Sequence, residues 1–269
     1  MIRVALPDPP QDLIDKGAVE LAKARAHFGD PANKGKPFAF GVYKLAPVKT
    51  ALNETFHFKC AYCESFFGAT QPLDVEHFRP KSGVLVGTEL VWGVYYWLAA
   101  RWGNLLPSCT DCNRPRRQAL PSGLEQTLGK ANQFPISSEV KRAATEGDEK
   151  KEARLLVHPC LDDPSKHFAF DADGIVSWTS KKGEASIRVY ALLRRGLVQA
   201  RRALQIEILT HISIARGLAR KLELTGPDPD LEDLLLQELR ALARFVDPEH
   251  EYSAMARALV DPVMAELTT

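Results

Sequence analysis

Two Cys-x-x-Cys pairs, Cys60–Cys63 and Cys109–Cys112, constrain this chain more than any other feature. Thiols three positions apart can grip one ion from a single turn, and two such turns supply the four soft ligands of a tetrahedral zinc. The stretch between the pairs must then return to one point in space. A four-thiolate site has no open position, so the ion expected here, Zn²⁺, is structural rather than catalytic. The competing readings are a metal-free pair of knuckles and a redox dithiol. The second fits less well, because neither pair opens a thioredoxin-like βαβ unit. The fifth cysteine, Cys160, reads as a small buried or half-buried thiol.

Paired cysteines of this kind suit a reducing compartment. The stretch Met1–Gln11 has prolines and acids but no basic region followed by an apolar one, so no signal peptide is evident. No apolar run approaches the roughly 20 residues of a membrane span. A cytoplasmic location without membrane association is the expectation. With 269 residues, 45% hydrophobic, 26% charged and net charge +1, the chain has room for one large domain or two smaller ones.

The near-neutral total hides an asymmetry. Arg188–Lys221 holds eight basic residues against one acid, and Glu223–Glu251 holds nine acids against two bases. A basic strip suits a polyanion. An acidic strip suits a basic partner or the chain's own basic strip, and ordinary solvated helix faces explain either strip equally well.

Between the cysteine pairs lie the residues that carry chemistry. Asp74–Lys81 reads D-V-E-H-F-R-P-K, and Gly103–Cys109 reads G-N-L-L-P-S-C. A neutral His77 imidazole can take a proton from water and make it a nucleophile. Glu76 and Asn113 offer hard oxygens suited to a single Mg²⁺ or Mn²⁺ at a scissile phosphate. Asn104 can orient His77 or tie its loop. Alone, each has a bland reading, since a single histidine is more often a bonded core or surface group and a single asparagine a cap or turn. Their order inside two knuckles shifts the balance. Arg79, Lys81, Arg114, Arg116 and Arg117 flank the stretch as candidate phosphate contacts, although about half of such residues are ordinary surface. Tyr95, Tyr96, Trp97 and Trp102 read as core beneath the knuckles. Asp162, Asp163 and His167 could form a second metal site, but a capped turn is the better reading.

Periodicity predicts helices over Gln11–Phe28 and Val48–Phe58, and a short buried helix over Tyr95–Trp102. It predicts one long helix from Tyr190 to Leu222, or two broken near Gly196, and further helices over Leu231–Phe245 and Glu249–Leu259. Strand character lies at Leu73–Phe78, Arg154–Val157, Phe168–Phe170 and Ile175–Trp178, the last two joined by the D-A-D-G turn at Asp171–Gly174. Gly83–Gly93 reads as a loop, and Ser137–Lys151 as a polar loop marking a module boundary. The expected fold is α+β and mainly helical: a small zinc-stapled module embedded in a helical scaffold with a short β-hairpin. The expected divisions are 1–45 (helical), 46–136 (the stapled module), 137–151 (loop) and 152–269 (hairpin and helices).

The order D-V-E-H, G-N-L-L, C-N resembles the HNH nuclease family and its ββα-metal module. The resemblance implies a general base at His77 and a catalytic-metal ligand at Glu76. It implies a supporting asparagine at Asn104, a final metal ligand at Asn113, and an extra ligand or supporting carboxylate at Asp74. The strings K-C-A-Y-C-E, V-E-H-F-R-P-K, Y-Y-W-L-A, W-G-N-L-L-P-S-C-T-D-C-N and L-D-D-P-S-K-H-F extend the likeness over most of the chain. They resemble the HNH subunit of Septu-type and retron-associated anti-phage systems. That resemblance implies a hetero-oligomer with an ATPase subunit of ABC/SMC-like core, and a nucleic-acid substrate, DNA ahead of RNA. The chain has no phosphate-binding loop of its own, so any nucleotide would belong to that partner. The helices after Gly183 are the expected docking surface. The alternative function is a zinc-knuckle module that binds nucleic acid without cutting it.

Overall fold

The computed structural model describes residues 1–67, 72, 74–171 and 173–267. Helix α1 (Gln11–Gly29) follows Pro9–Pro10 and buries Leu13, Gly17 and Ala24 along one side. Helix α2 (Ala46–Thr55) starts with Pro47 in its first turn and buries Val48 and Leu52. It ends before the predicted Phe58 because His57 and Phe58 adopt left-handed φ angles of 52° and 57°, which turn the chain into Cys60.

Strand β1 (Asp74–His77) is followed by a hairpin, β2 (Gly83–Val86) and β3 (Glu89–Trp92), where the sequence suggested a loop. Two residues, Gly87 and Thr88, join the pair. Gly87 takes the positive φ (60°) that tight hairpins need. The aromatic stretch is not one helix. Tyr95 sits at φ 59°, and two single 3₁₀ turns, Tyr96–Leu98 and Trp102–Asn104, flank a bend. Tyr95, Trp97 and Trp102 are buried, as expected, and so is Leu98, whereas Tyr96 is only half-buried, stacked against Phe28.

Strand β4 (Leu105–Ser108) pairs antiparallel with β1, placing Glu76 opposite Leu106 and His77 opposite Leu105. It runs directly into helix α3 (Thr110–Asn113), completing a β-β-α unit. A second unpredicted hairpin, β5 (Arg116–Ala119) and β6 (Glu125–Leu128), follows. The polar stretch 137–151 is ordered by contacts. Glu146 meets Arg25 at 2.6 Å and Arg101 at 2.7 Å, and the Glu149 carbonyl accepts from Arg79. Arg154–Val157 forms no strand, only one isolated bridge from Arg154 to Ile136.

Strands β7 (Phe168–Phe170) and β8 (Val176–Trp178) form the expected hairpin, though Ala172 of its turn lies outside the described residues. So does Leu73, where the β1 stretch was expected to begin. Asp163 caps the turn at Pro164–Lys166, as expected, while Asp162 pairs with Arg154 and Lys182.

The C-terminal helices are α4 (Lys181–Val189), α5 (Arg195–Thr225), α6 (Pro229–Phe245) and α7 (Ser253–Leu267). Of the stretch expected to be one long helix or two broken near Gly196, Tyr190–Arg194 is the turn after α4, and α5 then runs unbroken from Arg195 with Gly196 in its first turn. Ser180 caps α4 through Gly183 N–H, and Asp228 caps α6 with Pro229 in its first turn. Helix α7 starts after Tyr252 (φ 53°) and continues through Pro262, later at both ends than expected. Buried apolar side chains from residues 1–45, 46–136, 137–151 and 152–269 all join one cluster. Among the described residues no helix is long and apolar enough to cross a membrane.

His158 sits in this core against the Phe78 ring. Its Nδ1 accepts from Cys160 N–H and its Nε2 donates to the Gly103 carbonyl, both at 3.1 Å. Only a neutral imidazole can do both. Burial, aided by the Arg154 charge, lowers its pKa to about 4. The unfolded chain protonates at about 6.5, so this contribution is fully present above that value and is lost as pH falls toward about 4. The loss amounts to about 3 kcal/mol at most. His158→Gln should flatten that part of the stability profile in urea unfolding between pH 7 and 4.5; a profile parallel to wild type would reject the assignment.

Candidate active site and metal centre

The knuckles form as their spacing dictates. Glu64 N–H donates to the Cys60 carbonyl and Cys60 N–H to the Ser65 carbonyl, both at 2.9 Å, with Glu64 left-handed at φ 67°. Cys109 caps α3, and Asn113 N–H returns to its carbonyl at 3.1 Å. Ala61 N–H bonds the Pro107 carbonyl at 2.9 Å, tying the first knuckle to β4. The Cys60, Cys63, Cys109 and Cys112 sulfurs are buried and lie within 4.8 Å of one another, with Cys63 and Cys109 3.8 Å apart. Sulfurs around a zinc at about 2.3 Å are separated by about 3.8 Å, so the four residues fit that ion.

The sequence did not point to a fifth side chain at this centre. Arg194 aims its guanidinium at Cys63 (3.3 Å), Cys112 (3.4 Å) and Cys109 (3.8 Å).

A cavity of about 470 Å³ opens beside β1 and the end of α3. Asp74, Glu76, His77 and Asn113 all border it, so the structure brings together residues up to 39 positions apart. His77 Nε2 lies 2.9 Å from the Ala99 carbonyl. A carbonyl only accepts, so Nε2 carries the proton and Nδ1 keeps its lone pair. Burial, with the Lys81 and Lys130 charges, holds the imidazole neutral well below the usual histidine range. The Tyr43 ring meets it edge-on, with centroids 4.5 Å apart.

Glu76 is buried and its Oε1 lies 2.5 Å from Lys130 Nζ. Burial pushes the Glu76 pKa up, and Lys130 opposes this. The fully buried Lys130 also donates to the His77 carbonyl at 2.8 Å. Its backbone is fixed on α3: Lys130 N–H bonds the Cys112 carbonyl and Ala131 N–H the Asn113 carbonyl. Gly129 makes the approach possible, since a Cβ there would lie 2.0 Å from the Arg114 carbonyl oxygen. No local motif flags Lys130; its role exists only across a separation of 54 positions in sequence.

Asp74 accepts from Arg114 Nε (2.8 Å) and Nη2 (2.7 Å), and from Asn113 Nδ2 (3.1 Å). It therefore turns the Asn113 amide nitrogen inward on itself and leaves the amide oxygen for other use. Asn104 is buried and does not border the cavity. Its Oδ1 accepts from Arg79 N–H (2.8 Å), and its Nδ2 donates to the Arg79 (3.0 Å) and Leu98 (3.2 Å) carbonyls. It ties the chain just after His77 to the loop that carries Ala99.

The basic candidates divide. Lys81 and Arg114 border the cavity, joined by Lys44 and Lys49 from the N-terminal part, which the sequence did not single out. Lys81 Nζ lies 4.6 Å from the Tyr43 ring centre. Arg79 does not serve as expected: its Nε bonds Glu152 at 2.9 Å and its guanidinium packs on Phe134, so it acts as an internal strut. Arg116 and Arg117 are exposed on β5, paired with Asp111 (2.9 Å) and Glu125 (2.6 Å), away from the cavity.

No protein-family model matches the chain. Individual relatives do. Septu protein PtuA of Bacillus mycoides (strain KBAB4) is 35% identical over 151 residues, 54% of this chain but only 19% of that protein. Septu protein PtuB of Bacillus thuringiensis is 34% identical over 116 residues, 42% of this chain and 36% of that one. Septu protein PtuB of Bacillus mycoides (strain KBAB4) is 34% identical over 271 residues, 95% of this chain and 87% of that protein. An alignment of that extent takes in both knuckles and the cavity between them, and the chain belongs to the Septu PtuB family.

Proposed function

We propose that this chain is a metal-dependent HNH endonuclease that hydrolyses nucleic-acid phosphodiesters, DNA in preference to RNA. It would act as the nuclease subunit of a Septu-type anti-phage defence system. The observation that carries this reading is a single cavity in which a neutral histidine with its lone pair on Nδ1 stands beside Glu76 and Asn113, under a rim of Lys44, Lys49, Lys81 and Arg114.

In this reading His77 Nδ1 takes the proton of the attacking water. The Ala99 carbonyl fixes the ring's tautomer, and Asn104 fixes the backbone on which the ring stands. A carboxylate and an amide oxygen are the hard donors a Mg²⁺ or Mn²⁺ takes, usually with several waters, so Glu76 and Asn113 fit such an ion. When bound, the ion would supply charge stabilisation at the scissile phosphate and leaving oxygen. Asp74 orients Asn113 and draws Arg114 to the rim, and the rim cations would receive the phosphates on either side.

The family membership supports a PtuA-type partner in a hetero-oligomer, and the ABC/SMC-like ATPase core belongs to that partner. The apolar residues that α5 and α6 leave exposed, among them Ile206, Leu224 and Leu234, support the C-terminal helices as the docking surface.

The test is incubation of the purified chain with supercoiled plasmid and Mg²⁺ or Mn²⁺, alone and with its PtuA-type subunit and ATP. Nicked or linear product that vanishes with chelator is the expected result. Retention of plasmid in a gel-shift assay with no cleavage under any of these conditions would favour the binding-module alternative.

A further inference from the structure

Arg194 is 7% exposed and stands at the corner between α4 and α5. Its guanidinium touches three of the four sulfurs at 3.3–3.8 Å, and its Nε lies 3.7 Å from Asp111 Oδ2. The corner is built to hold it there. Ala191 takes a left-handed φ of 53°, Arg194 N–H closes on the Ala191 carbonyl at 3.1 Å, and the Arg194 side chain bonds the same carbonyl at 3.2 Å. The neighbouring Tyr190 ring stacks on Tyr62, inside the first knuckle, with centroids 3.8 Å apart and planes 12° apart.

Four thiolates around one Zn²⁺ leave a net charge of about −2 in a buried site, which is costly without compensation. A guanidinium is a fixed, always-charged fork of donors, able to reach several sulfurs at once as an ammonium cannot. Such N–H···S contacts lower the charge on the sulfurs and so oppose their protonation and release of the ion.

We propose that Arg194 is an integral part of the metal centre. It neutralises the zinc tetrathiolate and makes the ion a staple between the two knuckles and helix α5. Zinc retention then depends on a residue 82 positions beyond the last cysteine ligand. Seating of the first turns of α5 depends in return on the ion. This rests on the four-cysteine site holding zinc, and is independent of the cleavage chemistry.

The experiment uses the full chain. Metal content is measured by plasma emission, and zinc release is followed with a chromogenic chelator in native buffer. Arg194→Gln and Arg194→Ala should release zinc at least tenfold faster than wild type. Arg194→Lys, which keeps the charge but not the fork, should fall between. Arg201→Lys is the control for simple loosening of the helix: Arg201 is buried on the same helix and hydrogen-bonds the Leu192 carbonyl, and lysine keeps the positive charge it places near Cys63, so its release rate should stay within twofold of wild type. Hydrogen exchange in the first two turns of α5 should rise when zinc is stripped from wild type. Wild-type release rates in all Arg194 variants, or equal acceleration in Arg201→Lys, would overturn the proposal. Wild-type protein containing no zinc would instead overturn the metal centre itself, and Arg194's part in it.

Discussion

Replacing His77 by alanine is expected to lower plasmid cleavage by about 10²–10⁴-fold, the range a positioned general base contributes. Zinc content should be unchanged, because His77 touches no sulfur ligand; its ring meets Tyr43 and the Ala99 carbonyl. A modest stability loss of about 1–2 kcal/mol follows from the lost hydrogen bond and ring contact. The useful discrimination is between this variant and Asn104→Ala. Asn104 acts through the backbone, so its removal should reduce cleavage and stability together. Removal of His77 should abolish cleavage in a protein that still melts close to wild type. Cleavage by His77→Ala within threefold of wild type would eliminate His77 as the base.

The largest effect on stability is expected from Lys130→Met. Burial drives both members of the Glu76–Lys130 pair away from their charged forms: it raises the Glu76 pKa and lowers the Lys130 pKa, and their attraction only partly offsets this. The pair is therefore a device for placing a carboxylate more than a source of net stability. Breaking it is another matter. Removing the ammonium strands a buried carboxylate and also frees the His77 carbonyl, a change that costs about 3–5 kcal/mol. Urea unfolding should show that loss at pH 8. The sign of its pH dependence follows from the raised Glu76 pKa. The folded state holds a proton that the unfolded carboxylate releases, so the variant should recover stability as pH falls toward 5. Adding Glu76→Gln to Lys130→Met should restore much of the loss at pH 8, without restoring cleavage. A double variant no more stable than Lys130→Met would show that the two side chains are not coupled.

Much of the site was legible because its spacing is local. Two turns of Cys-x-x-Cys define four ligands whatever surrounds them. D-V-E-H places the acid and the histidine next to each other on β1, and Cys112–Asn113 hangs the amide on the end of a knuckle. The hairpins β2–β3 and β5–β6 were missed although each carries a turn signal, Gly87–Thr88 in one and Pro121–Ser122–Gly123 in the other. Four-residue strands beside longer helical patterns give too few alternations for periodicity to register. The aromatic stretch was misread as a helix for a related reason. Its apolar residues are buried on several sides of a bend, which looks like a helix buried all round when only composition is counted.

The amino-acid sequence by itself determined the two knuckles, the acid and histidine between them, and the two asparagines that follow, because each rests on neighbours a few positions apart. Only the tertiary structure decided which charges meet. It placed Lys130 on Glu76, Arg114 on Asp74, Arg79 on Glu152 and Arg194 on the sulfurs, and it brought Tyr43, Lys44 and Lys49 to the cavity rim. The physical reason is that an ion pair between elements far apart in sequence, unlike a local pair such as Asp12–Lys16, carries no spacing rule. Any of the chain's 35 lysines and arginines could have met any of its 34 acids, and the packing of elements far apart in sequence made the choice.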